Sequence, residues 1–396
     1  MKIILYTWGS NTEDILKMNL IELGHEVIVF ARKCEHYTKD LKFAQELINL
    51  VHECGAESIV SYDYFPIISM VCNTVGILYY SWVYDSPHYT LFASTSKYPC
   101  NRIGCFDRAL TKRLNDLGVG TVRHLPLGVD WTEKRSGMSG GYCDMKYACD
   151  ISFVGSLYTG EYNYYDSMLD DEVLKQKADK IIKDQLFEYK KNRIKDFFRN
   201  ESGTGTDTQI ADRAKALIYK KDLFPGDEYI EDIEYIFDSH FLEKKVTVEE
   251  RRILLSEIAK RDYDFALYTG SDLSKEPELK NACRGIVDYR TEMPKVFASS
   301  RINLNVTLRS IKTGIPLRAL DIMGCGGFLL SNYQEELAEY FKEGKEVVMF
   351  YRLDDCLEKI DYYLAHEDER KAVAEAGMKA VRDRFCIKDK LKMLLS

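Results

Sequence analysis

The sequence predicts an α/β protein with two domains, each built on a parallel sheet flanked by helices. The chain has 396 residues, more than one hydrophobic core usually serves. Short apolar runs alternate with helix-periodic stretches in both halves, which is the pattern of parallel sheets. A polar, glycine-rich stretch separates the halves. We therefore predict a first domain at 1–135, a linker at 136–149 and a second domain at 150–385.

In the first half, strands and helices alternate from the N-terminus onward. Strands are predicted at 2–6, 26–30, 58–62, 77–82, 102–106 and 121–126. Helices are predicted where apolar residues recur at helical spacing, at 13–23, 41–54, 67–76 and 107–118. The glycines after the first strand lack the spacing of a dinucleotide fingerprint, so no dinucleotide cofactor is expected.

The second half opens with a strand at 150–154 and then changes character. From about 162 to 262 apolar residues recur only at helical spacing among many charges, which predicts a helical insertion with solvated charged faces. An acceptor-binding surface and a partner surface are both compatible with it. Strands are predicted at 264–269, 285–289, 302–306, 328–330 and 346–350. Helices are predicted at 291–300, 317–323, 335–341, 354–364 and 366–384.

The composition argues against several functional classes. A formal net charge of −8 argues against binding nucleic acid by phosphate neutralisation. The 11 cysteines lack CxxC or Cys–His spacing, so we expect free thiols and no zinc site. No apolar run is long enough for a signal peptide or a membrane span. We therefore expect a cytoplasmic protein without nucleic-acid or membrane partners.

The stretch 302–331, INLNVTLRSIKTGIPLRALDIMGCGGFLLS, is the most informative in the chain. It predicts a strand, a polar loop, a helix that begins near Pro316, and a glycine stop before the next strand. The start of a helix attracts anions, and Gly314 lets a ligand approach the backbone there. Three basic side chains add positive charge nearby: Arg309, Lys312 and Arg318. Asp321 suits ribose hydroxyls, so the stretch predicts a site for a nucleoside-diphosphate sugar.

Two turns of the first half carry acidic and imidazole groups. Asp63 follows the third strand, and Asp85 and His88 follow the fourth, at the sheet edge where open α/β folds bind ligands. Asp85 is the first candidate for a base that activates an acceptor hydroxyl, and His88 for a sugar contact or an alternative base. From these residues alone, helix capping by Asp85 and a neutral structural role for His88 are the competing interpretations.

Three segments carry a resemblance to a known family: SWVYDSPH at 81–88, YACDISFVGSLY at 147–158, and GIPLRALDIMGCGGFLLSNYQEEL at 314–337. They resemble the CgeB-like (spore-maturation type) bacterial glycosyltransferases of the GT-B class. The resemblance implies two Rossmann-like, doubly wound domains facing across a cleft. The first would bind the acceptor and the second the donor, and the tail at 386–396 would pack back on the first domain.

The resemblance also implies the reaction. A sugar would move from a nucleoside-diphosphate donor, with a UDP-sugar favoured, to a hydroxyl of a protein, a glycan or a small molecule. Neither a metal ion nor another cofactor would be needed. Asp85 and His88 become the catalytic candidates. Donor contacts would fall on Gly155, Ser156, Tyr158, Thr269, Tyr289, Asn305, Arg309, Thr313, Gly314, Ile315, Arg318 and Asp321.

One position departs from the family pattern. In the better-known retaining GT-B enzymes this stretch carries two glutamates separated by seven residues. Asp321 stands at the second position, whereas Thr313, which is not acidic, stands at the first. The stereochemistry therefore stays open. Asp85 is the base if the reaction inverts, and it only orients substrates if the reaction retains.

Two other functions fit the same sequence. A GT-B relative such as a nucleotide-sugar epimerase would need only the nucleotide sugar. A catalytically inactive sugar-binding or scaffold protein would use the insertion to hold a partner, and the missing acid at Thr313 keeps that hypothesis open. The sequence does not determine the donor sugar, its nucleobase, the acceptor or the oligomeric state.

Overall fold

The computed structural model describes residues 1–130, 143–160, 164–168, 170–200, 202–221, 223 and 229–396. A six-stranded and a five-stranded sheet, both parallel in every described strand pair, form two α/β domains. This confirms the predicted fold class. Half of the predicted linker at 136–149 lies outside the described residues, since only 143–149 of it are described.

The first domain has the strand order β2-β1-β3-β4-β5-β6. Its strands are β1 Lys2–Tyr6, β2 Glu26–Phe30, β3 Ser58–Tyr62, β4 Leu78–Val83, β5 Asn101–Cys105 and β6 Val122–His124. Its helices are α1 Glu13–Glu22, α2 Leu41–Cys54, α3 Pro66–Val75 and α4 Arg108–Asp116. Because neighbouring strands are parallel, the turns after β1, β3 and β4 meet at one edge of the sheet.

The second domain has the strand order β11-β10-β9-β7-β8. Its strands are β7 Cys149–Val154, β8 Phe265–Tyr268, β9 Ser300–Asn305, β10 Leu329–Asn332 and β11 Val348–Phe350. The helical insertion joins β7 to β8 and contains α5 Glu172–Gln185, α6 Thr208–Lys220, α7 Ile233–Phe237 and α8 Glu243–Ala259. Later helices are α9 Pro277–Ala282, α10 Met293–Ser299, α11 Leu317–Gly324, α12 Glu335–Tyr340, α13 Leu353–Ala365, α14 Glu367–Arg384 and α15 Ile387–Leu395.

The insertion bridges the two domains. The N–H of Ile230 donates to the Phe92 carbonyl at 2.6 Å, and the rings of Phe92 and Tyr235 lie 4.7 Å apart. Arg113 of α4 forms a two-point ion pair with Asp232 at 2.6 Å. From there the chain runs through a π-helical turn, Asp238–Leu242, into α8. The insertion therefore packs on the first domain before it returns to the second.

The charged faces of the insertion are not all solvated, contrary to the prediction. On α8, Glu243, Glu250 and Arg251 are buried. Buried charges persist only where they are paired or hydrogen-bonded. Here their partners lie in loops far along the chain, which is why the local pattern did not reveal their burial.

The C-terminal helix α15 lies on the first domain. The N–H of Val129 donates to the Phe385 carbonyl at 2.7 Å, and the N–H of Ile387 donates back to the Val129 carbonyl at 3.1 Å. A Cβ at Gly128 would lie 2.7 Å from the Ile387 Cα, so only glycine permits this approach. Leu391 is buried in an apolar core that contains side chains of both domains.

One predicted strand is wrong. Residues 285–289 form no strand, and the pairing with β8 is limited to one bridge between Leu267 and Cys283. Ile286 is 77% exposed. Asp288 accepts hydrogen bonds from the N–H groups of Arg290 and Thr291 at 3.0 and 2.8 Å, so turn chemistry prevails over the alternating apolar pattern.

Candidate active site

The carboxyl edges of the two sheets face each other across a cleft. The Ser86 hydroxyl, in the turn after β4, lies 3.3 Å from the Ser310 hydroxyl, in the loop after β9. On another part of the same boundary, Tyr62 at the end of β3 lies close enough to Asp321 on α11 for that carboxylate to raise the pKa of the tyrosine hydroxyl. The turn that carries Asp85 and His88 therefore lies next to the edge of the second sheet.

Two Gly-Ser turns form the edge of the second domain. Gly155 and Ser156 follow β7, and Gly270 and Ser271 follow β8 soon after Thr269. The Ser271 hydroxyl accepts a hydrogen bond from the Leu157 N–H at 2.8 Å and lies 3.4 Å from the Ser156 hydroxyl. The Thr269 hydroxyl accepts from the Ser271 N–H at 3.1 Å. Small residues and hydroxyls thus converge there, at the carboxyl ends of two adjacent strands.

Two arginines converge on the first of these turns. Arg318, in the first turn of α11, donates to the Val154 carbonyl, and a Cβ at Gly155 would lie 3.6 Å from its Nη1. Arg251 of α8 donates to the carbonyls of Ser156 and Val306, and its guanidinium lies 4.9 Å from the Tyr158 ring centre. Neither arginine forms an ion pair with any described residue.

The two guanidinium groups also act on each other. Burial is the main reason that the pKa of Arg251 and the pKa of Arg318 are lowered. The charge of Arg318 lowers the pKa of Arg251 further through repulsion. A buried positive charge without a carboxylate partner is costly, so an anion bound here would be stabilised strongly.

Asp321 lies at the base of this edge, one helical turn beyond Arg318. It is 1% exposed and accepts a hydrogen bond from the Tyr289 hydroxyl at 3.0 Å. Its charge opposes the burial effect on the pKa of Arg318. The hydroxyl of the half-buried Tyr289 therefore occupies one oxygen of the Asp321 carboxylate in this structure.

Two predicted donor contacts lie elsewhere. Arg309 forms a two-point ion pair with the buried Glu250 and lies 4.0 Å from the Tyr189 ring centre. Asn305 is 5% exposed, and its amide donates to the hydroxyls of Thr307 and Ser331 at 3.1 and 2.9 Å. The structure gives both side chains internal partners, and we leave them out of the donor site.

The end of the loop before α11 packs against the first domain. The Thr313 hydroxyl lies 3.0 Å from Asp107 and 2.8 Å from Glu336, two buried carboxyls. A Cβ at Gly314 would lie 2.9 Å from the Phe106 carbonyl. Glycine is thus needed for the domain contact, not for the approach of a ligand as predicted. The next residue, Ile315, is 2% exposed in the core shared by both domains, and Lys312 pairs with Glu243.

Asp85 lies in the cleft with its side chain exposed to solvent at one side. Its carboxylate accepts no hydrogen bond from any described residue, although its own N–H donates to Asp63 at 3.3 Å. The pKa of Asp85 is raised to about 6, mainly by enclosure in the surrounding protein; the nearby Asp63 acts in the same direction and His88 opposes it. A carboxylate with a pKa near neutrality suits proton transfer.

Asp63 supports the turn that carries Asp85. It is 3% exposed, with φ at 56°, and its Oδ1 accepts the N–H groups of Tyr84 at 3.1 Å and of Asp85. Burial raises the pKa of Asp63 to about 7, although these two hydrogen bonds oppose the rise. Asp63 thus positions the backbone of the turn and adds negative charge behind Asp85.

His88 is held as a neutral ring. Its Nε2 accepts the Tyr64 N–H at 3.1 Å, which leaves the proton on Nδ1, 3.8 Å from Asp63 Oδ1. Burial lowers the pKa of His88 to about 4, against the opposite effect of Asp85. Because the pKa of His88 lies well below 7, its ring is uncharged and this contact is no ion pair at neutral pH. His88 therefore serves the turn and is not positioned as a second base.

Arg251 is the residue of this site that the sequence analysis missed. It belongs to a run of charges, EERR, that indicates a solvated helix face. Thr247, Arg251, Leu254 and Ile258 nevertheless share one face at helical spacing, and all four are buried. That register was the available signal for an arginine directed into the fold.

No group of three or more His, Cys, Asp or Glu side chains suited to a metal ion occurs among the described residues. No described helix combines the length and apolar character needed to cross a membrane.

Comparison with known sequences finds a family match in the second domain. Residues 249–396, from α8 to the C-terminus, match a family described as "Glycosyl transferase-like". An uncharacterized protein of Aquifex aeolicus (strain VF5) is 31% identical over 104 residues, which is 25% of each chain. The alignment thus spans about a quarter of the length of that curated relative.

Solved structures share the fold over the full length. A sucrose-phosphate synthase from Thermosynechococcus elongatus superposes with a TM-score of 0.57 at 10% identity, covering 100% of this chain and 98% of that chain. A glycosyltransferase from Rickettsia africae gives 0.56 at 9% identity, covering 100% and 96%. HepE of Anabaena in complex with UDP-glucose gives 0.53 at 9% identity, covering 100% and 98%. The architecture of the chain is that of the GT-B glycosyltransferases.

Proposed function

We propose that the protein transfers a sugar from a nucleoside diphosphate to an acceptor hydroxyl. The proposal starts from the match of residues 249–396 to a glycosyltransferase-like family and from the GT-B fold of the chain. A UDP-sugar is the favoured donor, and the CgeB-like type is the favoured subfamily. The observation that carries the proposal is the pair Arg251 and Arg318, two guanidinium groups that converge on Gly155 and Ser156 without a carboxylate partner.

The diphosphate supplies the missing counter-charge. Arginine binds phosphate oxygens through two parallel N–H groups, and charge-assisted hydrogen bonds are the strong ones. The first turn of α11 adds its partial positive charge from the same side. When the bond from the anomeric carbon to the diphosphate breaks, negative charge grows on the leaving oxygen, and the same groups stabilise it. In this proposal the arginines provide the charge stabilisation, so a metal ion is not required.

The nucleoside lies on the side of Tyr289 and Asp321. The Tyr289 ring is half-buried at the cleft and offers a face for the base or the ribose, and its hydroxyl bond orients the Asp321 carboxylate. A ribose hydroxyl would replace the tyrosine hydroxyl on that carboxylate. UDP is favoured because HepE, a structural neighbour, binds UDP-glucose in the same overall fold.

Asp85 completes the transfer from the first domain. The acceptor oxygen forms a bond to the anomeric carbon as the bond to the diphosphate breaks, and the acceptor hydroxyl loses its proton to the Asp85 carboxylate. The diphosphate leaves with the electron pair of the broken bond. Asp85 is suited to this step because its carboxylate is exposed in the cleft and has no protein donor. This role predicts inversion at the anomeric carbon, which NMR of the product would show.

A thermal-shift titration tests the donor site directly. Binding to the folded state alone raises the unfolding temperature with ligand concentration. We expect UDP-glucose with EDTA present to stabilise the wild-type protein more than GDP-mannose, ADP-glucose or dTDP-glucose. The shift should be lost in Arg318→Met but kept in Lys379→Met, which removes an exposed ion pair on α14.

Turnover separates the transferase from its alternatives. Slow hydrolysis of the stabilising donor to free sugar and UDP is the expected side reaction of a transferase without its acceptor. Interconversion of the donor to its epimer, with no free UDP, would point to an epimerase. Stabilisation by none of the four donors, with and without Mg²⁺, would contradict the proposal.

A further inference from the structure

The first domain contains a pocket of about 350 Å³ at the carboxyl edge of its sheet. Asp85 and His88 form part of its wall, next to the rings of Trp8, Tyr37, Phe65 and Tyr89. All the pocket residues belong to the first domain, so none of the donor residues proposed above lines it. The pocket is therefore a separate site that opens toward the same catalytic carboxylate.

Large aromatic side chains stand exposed at this pocket. Trp8 is 37% exposed and Tyr37 is 39% exposed. The indole N–H of Trp8 donates to the Tyr62 carbonyl at 3.3 Å, and its backbone N–H donates to Glu13 at 2.7 Å, so its ring is held in place before any ligand binds. Rigid, exposed aromatic faces bind flat apolar surfaces at little entropic cost.

The polar groups of the pocket face the same space. The Asp85 carboxylate accepts no hydrogen bond from a described residue, and the Lys33 ammonium forms no ion pair with one. A ligand with several hydroxyl groups satisfies both, because a hydroxyl donates to a carboxylate and accepts from an ammonium. An aryl or alkyl group fits the rings but makes no hydrogen bond to either of these two groups.

The volume limits what enters. Ligand pockets commonly measure roughly 300–1,000 Å³, so 350 Å³ is enough for one ring and its substituents. A sugar ring has apolar C–H faces for the aromatic side chains and a rim of hydroxyls for the polar ones. Aromatic rings, a free carboxylate and this volume together favour a carbohydrate.

The insertion of the second domain extends the aromatic surface beyond the pocket. The rings of Tyr37 and Tyr89 lie 6.1 Å apart, and Tyr89 lies 6.3 Å from Tyr229 of the insertion. Tyr164, also of the insertion, lies close enough to Tyr89 to contribute to the raised pKa of the Tyr89 hydroxyl. We call these four residues the tyrosine row. An antiparallel bridge between Ala93 and Tyr229 fixes the insertion end of the row to the first domain.

We infer that the acceptor is an oligosaccharide. Its terminal sugar occupies the pocket, with one hydroxyl directed at Asp85, and the sugars that follow lie along the tyrosine row. This inference rests on the proposed function, since it assigns the acceptor of the same reaction. It also gives the helical insertion a role, which is to bind the acceptor chain outside the pocket.

Binding to an array of defined saccharides tests the inference with the full-length protein. The array holds mono- to tetrasaccharides of glucose, galactose, mannose and N-acetylglucosamine, together with peptides that carry serine, threonine or tyrosine, and binding is measured with UDP present. We expect tetrasaccharide binding to weaken about tenfold in Trp8→Ala and in Tyr37→Ala, because each removes one stacking face. Tyr219→Ala removes an exposed tyrosine elsewhere on the insertion and should bind like wild type.

A further variant separates the pocket from the row. Tyr229→Ala should weaken the binding of tetrasaccharides several-fold and leave that of monosaccharides unchanged. The UDP-glucose thermal shift of each variant reports whether it is folded. Because Tyr229 also packs at a domain contact, Tyr229→Phe, which keeps the ring, serves as the conservative variant and should bind tetrasaccharides nearly as wild type does.

The outcomes distinguish the inference from the function on which it rests. If UDP-glucose still stabilises the protein but no saccharide shows binding that depends on Trp8 or Tyr37, the acceptor inference is overturned and the donor function stands. Binding of the peptides in place of saccharides would overturn it as well. If pocket-dependent saccharide binding occurs but no nucleotide sugar binds, the carbohydrate site is supported and the transferase proposal fails.

Discussion

The second domain meets the cleft with guanidinium groups, whereas the first domain meets it with carboxyl groups. Among the described residues, the guanidinium groups of Arg251 and Arg318 donate to backbone carbonyls and form no ion pair with a carboxylate. Asp85 has no donor for its carboxylate, and Asp63 adds negative charge behind it. The cleft thus has positive charge on one edge and negative charge on the facing edge, and no ion pair in the described part of the chain neutralises either. This arrangement fits a reaction in which the second domain binds a diphosphate and the first accepts a proton.

The same contrast separates functional from structural residues within one segment. Arg309 and Thr313 precede Arg318 by only a few residues, yet Glu250, Asp107 and Glu336 satisfy them completely. Polar groups near a cleft are therefore not equivalent, and those without protein partners are the ones available to a ligand. Substituting one group at a time tests this distinction.

The largest expected effect is on turnover in Asp85→Asn. Asparagine keeps the size of the side chain but cannot accept a proton, and a general base contributes typically 10²–10⁴-fold. We expect kcat to fall about 10³-fold with donor affinity nearly unchanged, measured by UDP release and by calorimetry. Asp116→Asn, on the exposed side of α4, is the matched control and should keep wild-type turnover. Turnover within a few-fold of wild type in Asp85→Asn would exclude Asp85 as the base.

Next in size is the loss of donor affinity in Arg318→Met. A hydrogen bond to a charged group contributes about 1.5–3 kcal/mol, so the Kd of the UDP-sugar should rise roughly 10- to 100-fold. Arg251→Met should act in the same direction. Calorimetry on the purified variants measures both.

Arg309→Met is the control that makes this comparison informative. It leaves Glu250 buried without its partner, so we expect the free energy of unfolding to fall by about 3–5 kcal/mol, measured in urea. The fraction that stays folded should bind the donor with wild-type affinity. Equal losses of donor affinity in Arg309→Met and Arg318→Met would show that partnered and unpartnered arginines do not differ as proposed.

The fold was largely predictable because it depends on periodicity. Alternation of buried strands and amphipathic helices specifies parallel sheets locally, and the strands β1, β2 and β3 have the predicted bounds. Residues 285–289 failed because their apolar pattern is short and the Asp288 turn competes with it. Strands and helices depend mainly on residues that are neighbours in the chain, so a single sequence carries most of the information needed to predict them.

The site was less predictable because it depends on distant partners. Lys312, Arg309 and Arg318 are all basic residues of one segment, and no local feature shows that Glu243 and Glu250 of α8 neutralise the first two. The close approach at Gly314 likewise depends on Phe106 of the other domain. Asp85 was a candidate because a turn after a parallel strand reaches the edge at which open α/β sheets bind ligands, and because the segment around it resembles the glycosyltransferase family.

The pH dependence of the reaction should follow Asp85. Its folded-state pKa is raised to about 6, so it loses its proton, and becomes a base, as the pH rises through that value. We expect kcat/KM to rise about tenfold per pH unit below pH 6 and to level off above it. Initial rates with saturating donor and acceptor well below its KM, in buffers of constant ionic strength, would measure this. An acid limb near pH 4 would show a carboxylate that the cleft does not perturb.

The smallest effect is expected in Asp63→Asn. This variant tests whether the charge of Asp63 acts on Asp85 at the carboxyl edge of the first sheet. Asparagine tolerates the left-handed backbone at this position, and its Oδ1 can still accept the N–H groups of Tyr84 and Asp85. Without the charge behind it, the pKa of Asp85 should fall, and the acid limb of kcat/KM should move to lower pH.

Stability provides an independent measurement on the same variant. Burial raises the folded-state pKa of Asp63 to about 7, above its unfolded value near 3.9, so its ionisation costs stability as the pH rises between those values. Asp63→Asn removes this cost. It should unfold at higher temperature than wild type at pH 8 and at a similar temperature at pH 4. If Asp63→Asn is instead less stable than wild type at pH 8, and the acid limb of kcat/KM stays at the same pH, Asp63 is needed as an ion. The fold would then not carry an unfavourable buried charge at the edge of the first sheet.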